Sequence, residues 1–403
     1  MLAVLRNRDF GLLWVSGLVS VAGDWMLYAA LPFYVYERTG STIATAGMIV
    51  AELAPAVLLG SVAGVFVDRW DRKRVLVAAN LLQAAAVSLL VLVPLDGWLW
   101  VVYAVAAAQS TVAAFAQPAE SALLPTLVPE ERLLVANALN ALNNRIGRLV
   151  GLPIGAALLG LLGLRGVAAV DSLSFVLAAL LVAPIASPQV RRELPAADAV
   201  SAWSAFWAEW RDGLRLVGRE RMVALLFVVF GLMTFGGTML DPLTVAWVRD
   251  VLGEGPEVFA SLLTAHAASG IAATLAVGRL GAGIDPRALI GWSSVAVAAA
   301  LALRHNLPSV PLALGLTAVA GVTSVVSSVG IETLAQRAVP DEYRGRVFGS
   351  LGATLGLLSL LGATAGGAFA EAVGIVPMLN VATALIALSG VVVLRSFPRG
   401  ARR

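Results

Sequence analysis

From Val75 to Leu95 the chain reads VLVAANLLQAAAVSLLVLVPL, 21 residues without an Asp, Glu, Lys or Arg. Directly before it stands Asp68-Arg69-Trp70-Asp71-Arg72-Lys73-Arg74, in which every residue but Trp70 is charged. An apolar run of about 20 residues matches the hydrocarbon core of a bilayer, and a basic cluster at one end marks the side that stays in the cytoplasm. Residues 97–119, 305–331 and 372–394 are equally free of these four residue types. Lipid cannot hydrogen-bond peptide groups, so such spans must be helices or closed barrels. A barrel would alternate polar and apolar residues, and these runs do not.

The rest of the composition agrees. Of 403 residues, 59% are apolar and 13% are charged, against about 25% charged in a soluble protein. There is no cysteine, which removes disulfides, thiol catalysis and Cys-based metal sites. The two histidines, His266 and His305, are too few and too far apart for a metal cluster. Lys73 is the single lysine and no GxxxxGK precedes it, so no P-loop binds ATP. No cofactor is expected. The net charge of +3 sits at helix ends, which argues for membrane orientation and against nucleic acid.

Charge-free windows place twelve spans, near 10–36, 43–67, 75–94, 98–119, 134–160, 166–186, 222–248, 257–279, 288–303, 309–331, 347–370 and 376–394. With the N-terminus inside, 22 Arg and Lys fall on the cytoplasmic face and 4 on the other: Arg38, Arg165, Arg249 and Arg304. Arg145 and Arg148 lie within the fifth span. This bias sets both termini in the cytoplasm, and the first span reads as a retained helix, not a cleaved signal. The expected product is an all-α integral membrane protein of a bacterial inner membrane.

The longest loop lies near the middle. Ser187–Asp198 looks like a linker. Val200–Arg221 puts Trp203, Phe206, Trp207, Trp210, Leu214 and Val217 on one helical face, with Arg211, Arg215 and Arg219 elsewhere. It suits a helix lying in the inner interface or one docked on the bundle. The chain thus divides into six spans over 1–186, a linker over 187–221 and six spans over 222–403. The halves repeat. Val128-Pro129-Glu130-Glu131-Arg132 returns as Val339-Pro340-Asp341-Glu342-Tyr343-Arg344, and at the same offset of 211 Gly151, Gly155 and Gly163 fall on Gly362, Gly366 and Gly374. Parallel repeats of this kind pack as two bundles around a midplane site.

The loop after the second span, Gly64-Val-Phe-Val-Asp68-Arg69-Trp70-Asp71-Arg72-Lys73-Arg74, resembles the GxxxDRxGRR/K signature of the major facilitator superfamily, with Asp71 where the family has glycine. A worn copy, Gly281-Ala-Gly-Ile-Asp285-Pro-Arg287, sits between spans eight and nine. The opening Leu5-Arg6-Asn7-Arg8-Asp9-Phe10, then Gly23-Asp24-Trp25, Gln117-Pro118-Ala119 and Leu134-Val135-Ala136-Asn137, look like the branch of macrolide and siderophore exporters. Gly147-Arg-Leu-Val-Gly151-Leu-Pro153-Ile-Gly155 is similar to the antiporter motif of drug exporters, with Leu152 where that motif has glycine. The resemblance implies two six-helix bundles related by a pseudo-two-fold along the membrane normal. It also implies an inner gate: Glu120 pairing with Arg72, and Asp68 meeting the start of the eleventh helix near Arg346, beside Arg69 and Lys73, with Gly64 letting helices approach.

An ionisable group inside a span marks a functional candidate. Asp24 lies about fourteen residues, roughly 21 Å, into the first span, and Glu52 sits at comparable depth in the second, before Pro55. A carboxyl group there suits a site that takes up and releases a proton; a carboxylate permanently paired to arginine is the alternative. Asn137, Asn140, Asn144 and Arg148 follow one stripe, and Arg148 lies near Asp24 in depth, so the pair is expected to be either a protonation-dependent couple or a static ion pair fixing register. In the second half only Asp241, before Pro242, and His266 are ionisable within spans, and Thr323, Ser324, Ser327 and Ser328 offer hydroxyls.

These residues predict a secondary transporter, not an enzyme: a monomer in the bilayer that exports small amphipathic compounds, drug-like or siderophore-like, by alternating access against a proton gradient. A facilitator or importer, or a lysophospholipid flippase, shares the scaffold. A non-transporting scaffold or sensor would not need matched intramembrane charges and a gate motif.

Overall fold

The computed structural model describes residues 2–67, 69–93, 97–186, 207, 210–211, 215, 217–280, 285–338 and 344–397. Among them there are helices and no strand. A short α1 (Leu2–Leu5) leads into α2 (Arg8–Thr39), α3 (Thr42–Val67) and α4 (Arg72–Ser88), which runs on as a 3-10 turn over Leu89–Leu92. Then follow α5 (Trp100–Leu127) and α6 (Leu133–Val182). The second half holds α7 (Arg221–Ala246, continued as a π turn over Trp247–Val251), α8 (Pro256–Leu280), α9 (Pro286–Asn306), α10 (Val310–Ala338), α11 (Arg344–Val373) and α12 (Ile375–Ser396). Ten helices of the described residues are long and apolar enough to cross a membrane. The 50-residue α6 carries Gly163 at φ 65°, where the helix breaks and restarts.

The helix ends follow from local chemistry. Asp71, where the superfamily pattern has glycine, caps α4: its carboxylate accepts from the Arg74 N–H at 2.9 Å, one of the donors a helix start leaves unmet. Asp285 of the worn second copy does the same for α9, accepting from the Arg287 N–H at 3.0 Å with Pro286 in the first turn. Gly374 at φ 99° separates α11 from α12. It lies 211 residues after Gly163, so the two glycines paired by sequence offset mark the same kind of break. Only glycine enters that φ region without strain.

Two compact units emerge. The first comprises Met1–Val35 with Ala51–Ser204, and the second Tyr36–Val50 with Ala205–Arg403. In the first, α4 packs on α5 and α6, and an apolar cluster gathers Phe10, Leu13, Leu76, Leu123, Leu127, Leu139 and Val182. In the second, α7 packs on α11 and α12, and α10 on α8 and α9. The interhelical glycines explain the closeness. A Cβ on Gly147 would come within 2.6 Å of Val21, and one on Gly151 would overlap the Ala22 carbonyl. One on Gly155 would lie 2.5 Å from the Met26 backbone. In the second unit a Cβ on Gly362 or Gly366 would lie 2.6 Å from the carbonyl of Phe235 or Met239. Gly151, Gly155, Gly362 and Gly366 thus each seat one helix against another's backbone, as small residues do in membrane bundles.

A Cβ on Gly64 would meet no heavy atom within 4 Å among the described residues. Of the amphipathic stretch before α7, Trp210 and Val217 meet helices of the second unit. The Trp210 indole donates to the Thr354 hydroxyl of α11 at 3.2 Å, Val217 packs on the α7–α12 core, and Arg211 and Arg215 are exposed. Trp203, Phe206 and Leu214 lie outside the described residues.

Candidate transport site

The first unit encloses a cavity of about 590 Å³, within the range of small-molecule sites. Asp24 and Tyr28 of α2, Glu52 of α3, Gln83 of α4, and Gln109, Ser110 and Gln117 of α5 line it. Asp24 and Glu52, matched in depth by the sequence, therefore open onto one space. Asp24 is exposed at the wall and Glu52 half-buried, and the two carboxyl groups act on each other electrostatically. None of the described lining residues is Arg, Lys or His. The cavity is negative and rich in amides.

Gln109 sharpens this. Both its amide oxygen and its amide nitrogen are enclosed and lack a hydrogen-bond partner among the described residues. A buried amide with neither function met is uncommon, and here it lines a cavity large enough for a ligand. Gln117 stands two turns further along the same helix face. Sequence reasoning uses Gln117 only as part of a branch resemblance and passes over Gln109 and Gln83. The signal available was amides eight apart in a charge-free span.

Arg148 lies against α2. Its guanidinium sits 4.6 Å from the Trp25 ring centroid, a cation–π contact, and Trp25 packs edge-on to Tyr28 at 5.0 Å. The ring adjoining Asp24 in the chain thus holds the arginine. Asn144 and Arg145 are exposed and off the cavity wall. Their neighbour Asn143 is the buried amide, donating to the Trp14 carbonyl at 2.8 Å, while the Trp14 indole donates to the Leu139 carbonyl at 2.9 Å. That lattice ties α6 to α2. Gly147, Gly151 and Gly155 belong to the same contact. Pro153 faces outward and is exposed, and Leu152, in the place of the motif glycine, is buried.

The gate residues differ from expectation. Arg72 donates to the Ala122 carbonyl at 2.8 Å, while Glu120 hydrogen-bonds Asn140 close to Gly17. Glu120 faces α6 and α2, so the guanidinium reaches the α5 backbone two residues further on in place of the carboxylate. Lys73 donates to the Ala183 and Ile185 carbonyls at 3.3 and 3.1 Å, a cation at the C-terminal end of α6. Arg69 is exposed. Asp68 and the side chain of Arg346 lie outside the described residues.

In the second unit Asp241 is half-buried ahead of Pro242 in α7. A Cβ on Gly321 would overlap the His266 carbonyl, so His266 marks the α8–α10 contact. Thr323 and Ser328 donate to the Val319 and Ser324 carbonyls of their own helix at 2.9 and 3.0 Å, and Ser327 pairs with Ser294 at 3.1 Å. Thr323 and Ser328 thus bond within their own helix, and Ser327 bonds across to α9. Arg304, assigned to the outer face by the charge census, is 5% exposed. It lies 5.4 Å from the Trp247 ring centroid, bonds the His305 ring at 2.8 Å and donates to Thr317 at 3.2 Å. No group of three or more potential metal ligands occurs among the described residues.

One carboxyl group escapes the sequence reading altogether. Asp171, in the part of α6 after Gly163, is 0% exposed. It is the single charge between Arg165 and Arg191. The criterion that picks out Asp24 therefore also selects it.

A family profile described as transmembrane secretion effector matches residues 1–400. The chain is 28% identical over 372 residues to macrolide efflux protein A of Streptococcus pyogenes, covering 91% of this chain and 90% of that one. It is 25% identical over 369 residues to the multidrug efflux pump Tap of Mycolicibacterium fortuitum, covering 89% and 88%. The fold matches a crystal structure of the nucleoside transporter NupG with a TM-score of 0.74 at 12% identity, over 96% of this chain and all of that one. The family and these relatives are membrane transporters and not enzymes. With its apolar helices, its glycine-seated packing and a profile match along nearly its whole length, the chain belongs to the transmembrane secretion effector family of the major facilitator superfamily.

Proposed function

We propose that this protein is a proton-driven exporter of small amphipathic compounds that are neutral or positively charged. One observation carries the reading: a drug-sized cavity with Asp24 and Glu52 on its wall and no basic residue among the described lining. An anion would meet like charge there, so drug-like cations are favoured over anionic siderophores. The efflux relatives support export. Counting α6 as two spans and α5 as one, the chain crosses the membrane twelve times as two six-helix bundles, with both termini in the cytoplasm of a bacterial cell. The bundles rock about the midplane, and Asp24 exchanges a proton as cargo comes and goes, with Arg148 held over the neighbouring Trp25. The protein works as a monomer without a cofactor.

The test is accumulation of ethidium, a fluorescent lipophilic cation, in cells lacking their own exporters, with and without a protonophore. The expected result is lowered accumulation that the protonophore abolishes. Export that survives the protonophore would overturn proton drive and favour a facilitator.

Gln109 supplies an independent check. An unmet buried amide costs a protein about 1–3 kcal/mol, so Gln109→Leu is expected to leave the empty protein as heat-stable as the parent or more so. Its half-saturating ethidium concentration should rise. A drop in both stability and apparent affinity would assign Gln109 a packing role.

A further inference from the structure

Asp171 faces α2 at Gly23. A Cβ on Gly23 would coincide with one carboxyl oxygen of Asp171 and lie 2.5 Å from the Ser174 hydroxyl. Glycine at 23 is what admits this carboxyl group to the α2 surface, and the next residue is Asp24. That same oxygen, Oδ1, accepts from the Ser174 hydroxyl at 3.1 Å, a hydroxyl that also donates to the Asp171 carbonyl at 2.8 Å. Oδ2 is buried and has no hydrogen-bond partner among the described residues. The groups that act on Asp171 are Ser174 on its own helix and Asp24 on α2. Glu52 of α3 acts in turn on Asp24. From α4, Ala84 offers only a carbonyl, taken by Ser172 at 2.9 Å. No cation is among these neighbours.

A buried carboxylate with no cation among these neighbours, as at Asp171, is costly, and the Asp24 carboxylate within electrostatic reach makes it costlier still. A proton held on one removes the repulsion. We propose that Asp171 is a second proton-binding site, a buried partner to which Asp24 hands its proton when cargo occupies the cavity. The step balances: the Asp24 carboxyl O–H bond breaks, an O–H bond forms on the Asp171 carboxylate, and the pair keeps a single negative charge. That charge moves to the cavity wall, where a cationic cargo meets it. Oδ2, with no hydrogen-bond partner among the described residues, is the free acceptor. The open face of Asp24 exchanges with solvent, while Asp171 holds the proton only in passing: it leaves to the cytoplasmic side before the loaded carrier turns outward, as exchange requires.

This inference rests on the proton-driven reading. Purified parent, Asp171→Asn and Asp171→Glu proteins in liposomes separate the two. Two rates are read with ethidium: uptake driven by an imposed pH gradient, and ethidium counterflow at equal pH, which needs binding and alternation but no net proton movement. Asp171→Asn is expected to keep counterflow and lose gradient-driven uptake to the level of protein-free liposomes, and Asp171→Glu to restore it. Gradient-driven uptake by Asp171→Asn at the parent rate would overturn the role of Asp171 alone. Loss of counterflow and uptake in equal measure from folded protein would make the residue structural. A parent protein indifferent to the gradient overturns both readings. Should Asp171→Asn fail to fold, Ser174→Ala replaces it: removing the hydroxyl on Oδ1 is expected to displace the pH profile of uptake, and an unmoved profile would count against the proposal.

Discussion

Asp24→Asn is expected to raise ethidium accumulation in exporter-deficient cells to the level of cells carrying no transporter, with as much protein in the membrane as the parent. The asparagine keeps the shape of the side chain at the cavity wall, but it neither carries a charge nor exchanges a proton. Asp24 is the carboxyl group most open to the cavity, and a neutral substitute there relieves a charge that its depth in the membrane makes expensive. Folding should therefore be spared while transport is lost. Protonophore-sensitive export by Asp24→Asn would remove this residue from the coupling step and leave Glu52 as the carboxyl group on the same wall. Counterflow retained by the variant would locate the defect in coupling, whereas its loss would locate it in cargo binding.

The second large effect concerns stability. Gly155 is seated against the backbone of Met26 with no space for a Cβ, so Gly155→Leu must drive α6 away from α2. Overpacking of a membrane helix contact is expected to cost about 3 kcal/mol or more, because the obstacle is backbone and cannot swing aside. Heat-induced aggregation of detergent-solubilised protein should set in at a markedly lower temperature, and membrane yield should fall. Gly64→Ala is the comparison. Its added methyl meets open space, and alanine favours a helix over glycine by about 1 kcal/mol. Thermal stability at or above the parent is expected for it. A Gly155→Leu protein as stable as the parent would show that the α2–α6 contact is not where the helices are held.

Arg304 and Arg72 show why charged residues are harder to place than apolar ones. The census by helix ends puts Arg304 on the outer face, yet in the structure it turns inward to Trp247, His305 and Thr317. A long side chain at a helix end can go either way, and hydropathy counts its position along the helix, not its direction. Arg72 illustrates the same point at the inner end. Its place in the motif is visible, but its acceptor is the Ala122 carbonyl, set by how α4 is rotated against α5. Asp71 is the opposite case, since a carboxylate directly before a helix is a cap wherever the helix goes.

The helical spans, their approximate ends and the pairing of Gly151, Gly155 and Gly163 with Gly362, Gly366 and Gly374 could all be read before any packing was known. Each rests on a property a residue carries with it: apolar surface, charge, or the absence of a Cβ, counted over lengths that the bilayer itself prescribes. That Asp24 and Glu52 share one cavity, that Gln109 lines it with its amide unmet, and that Asp171 meets Gly23 needed the packed bundle. Position along a helix gives depth in the membrane. Which neighbour a side chain meets at that depth depends on the rotation of each helix about its axis, and that is settled only when backbones close on one another at the glycines.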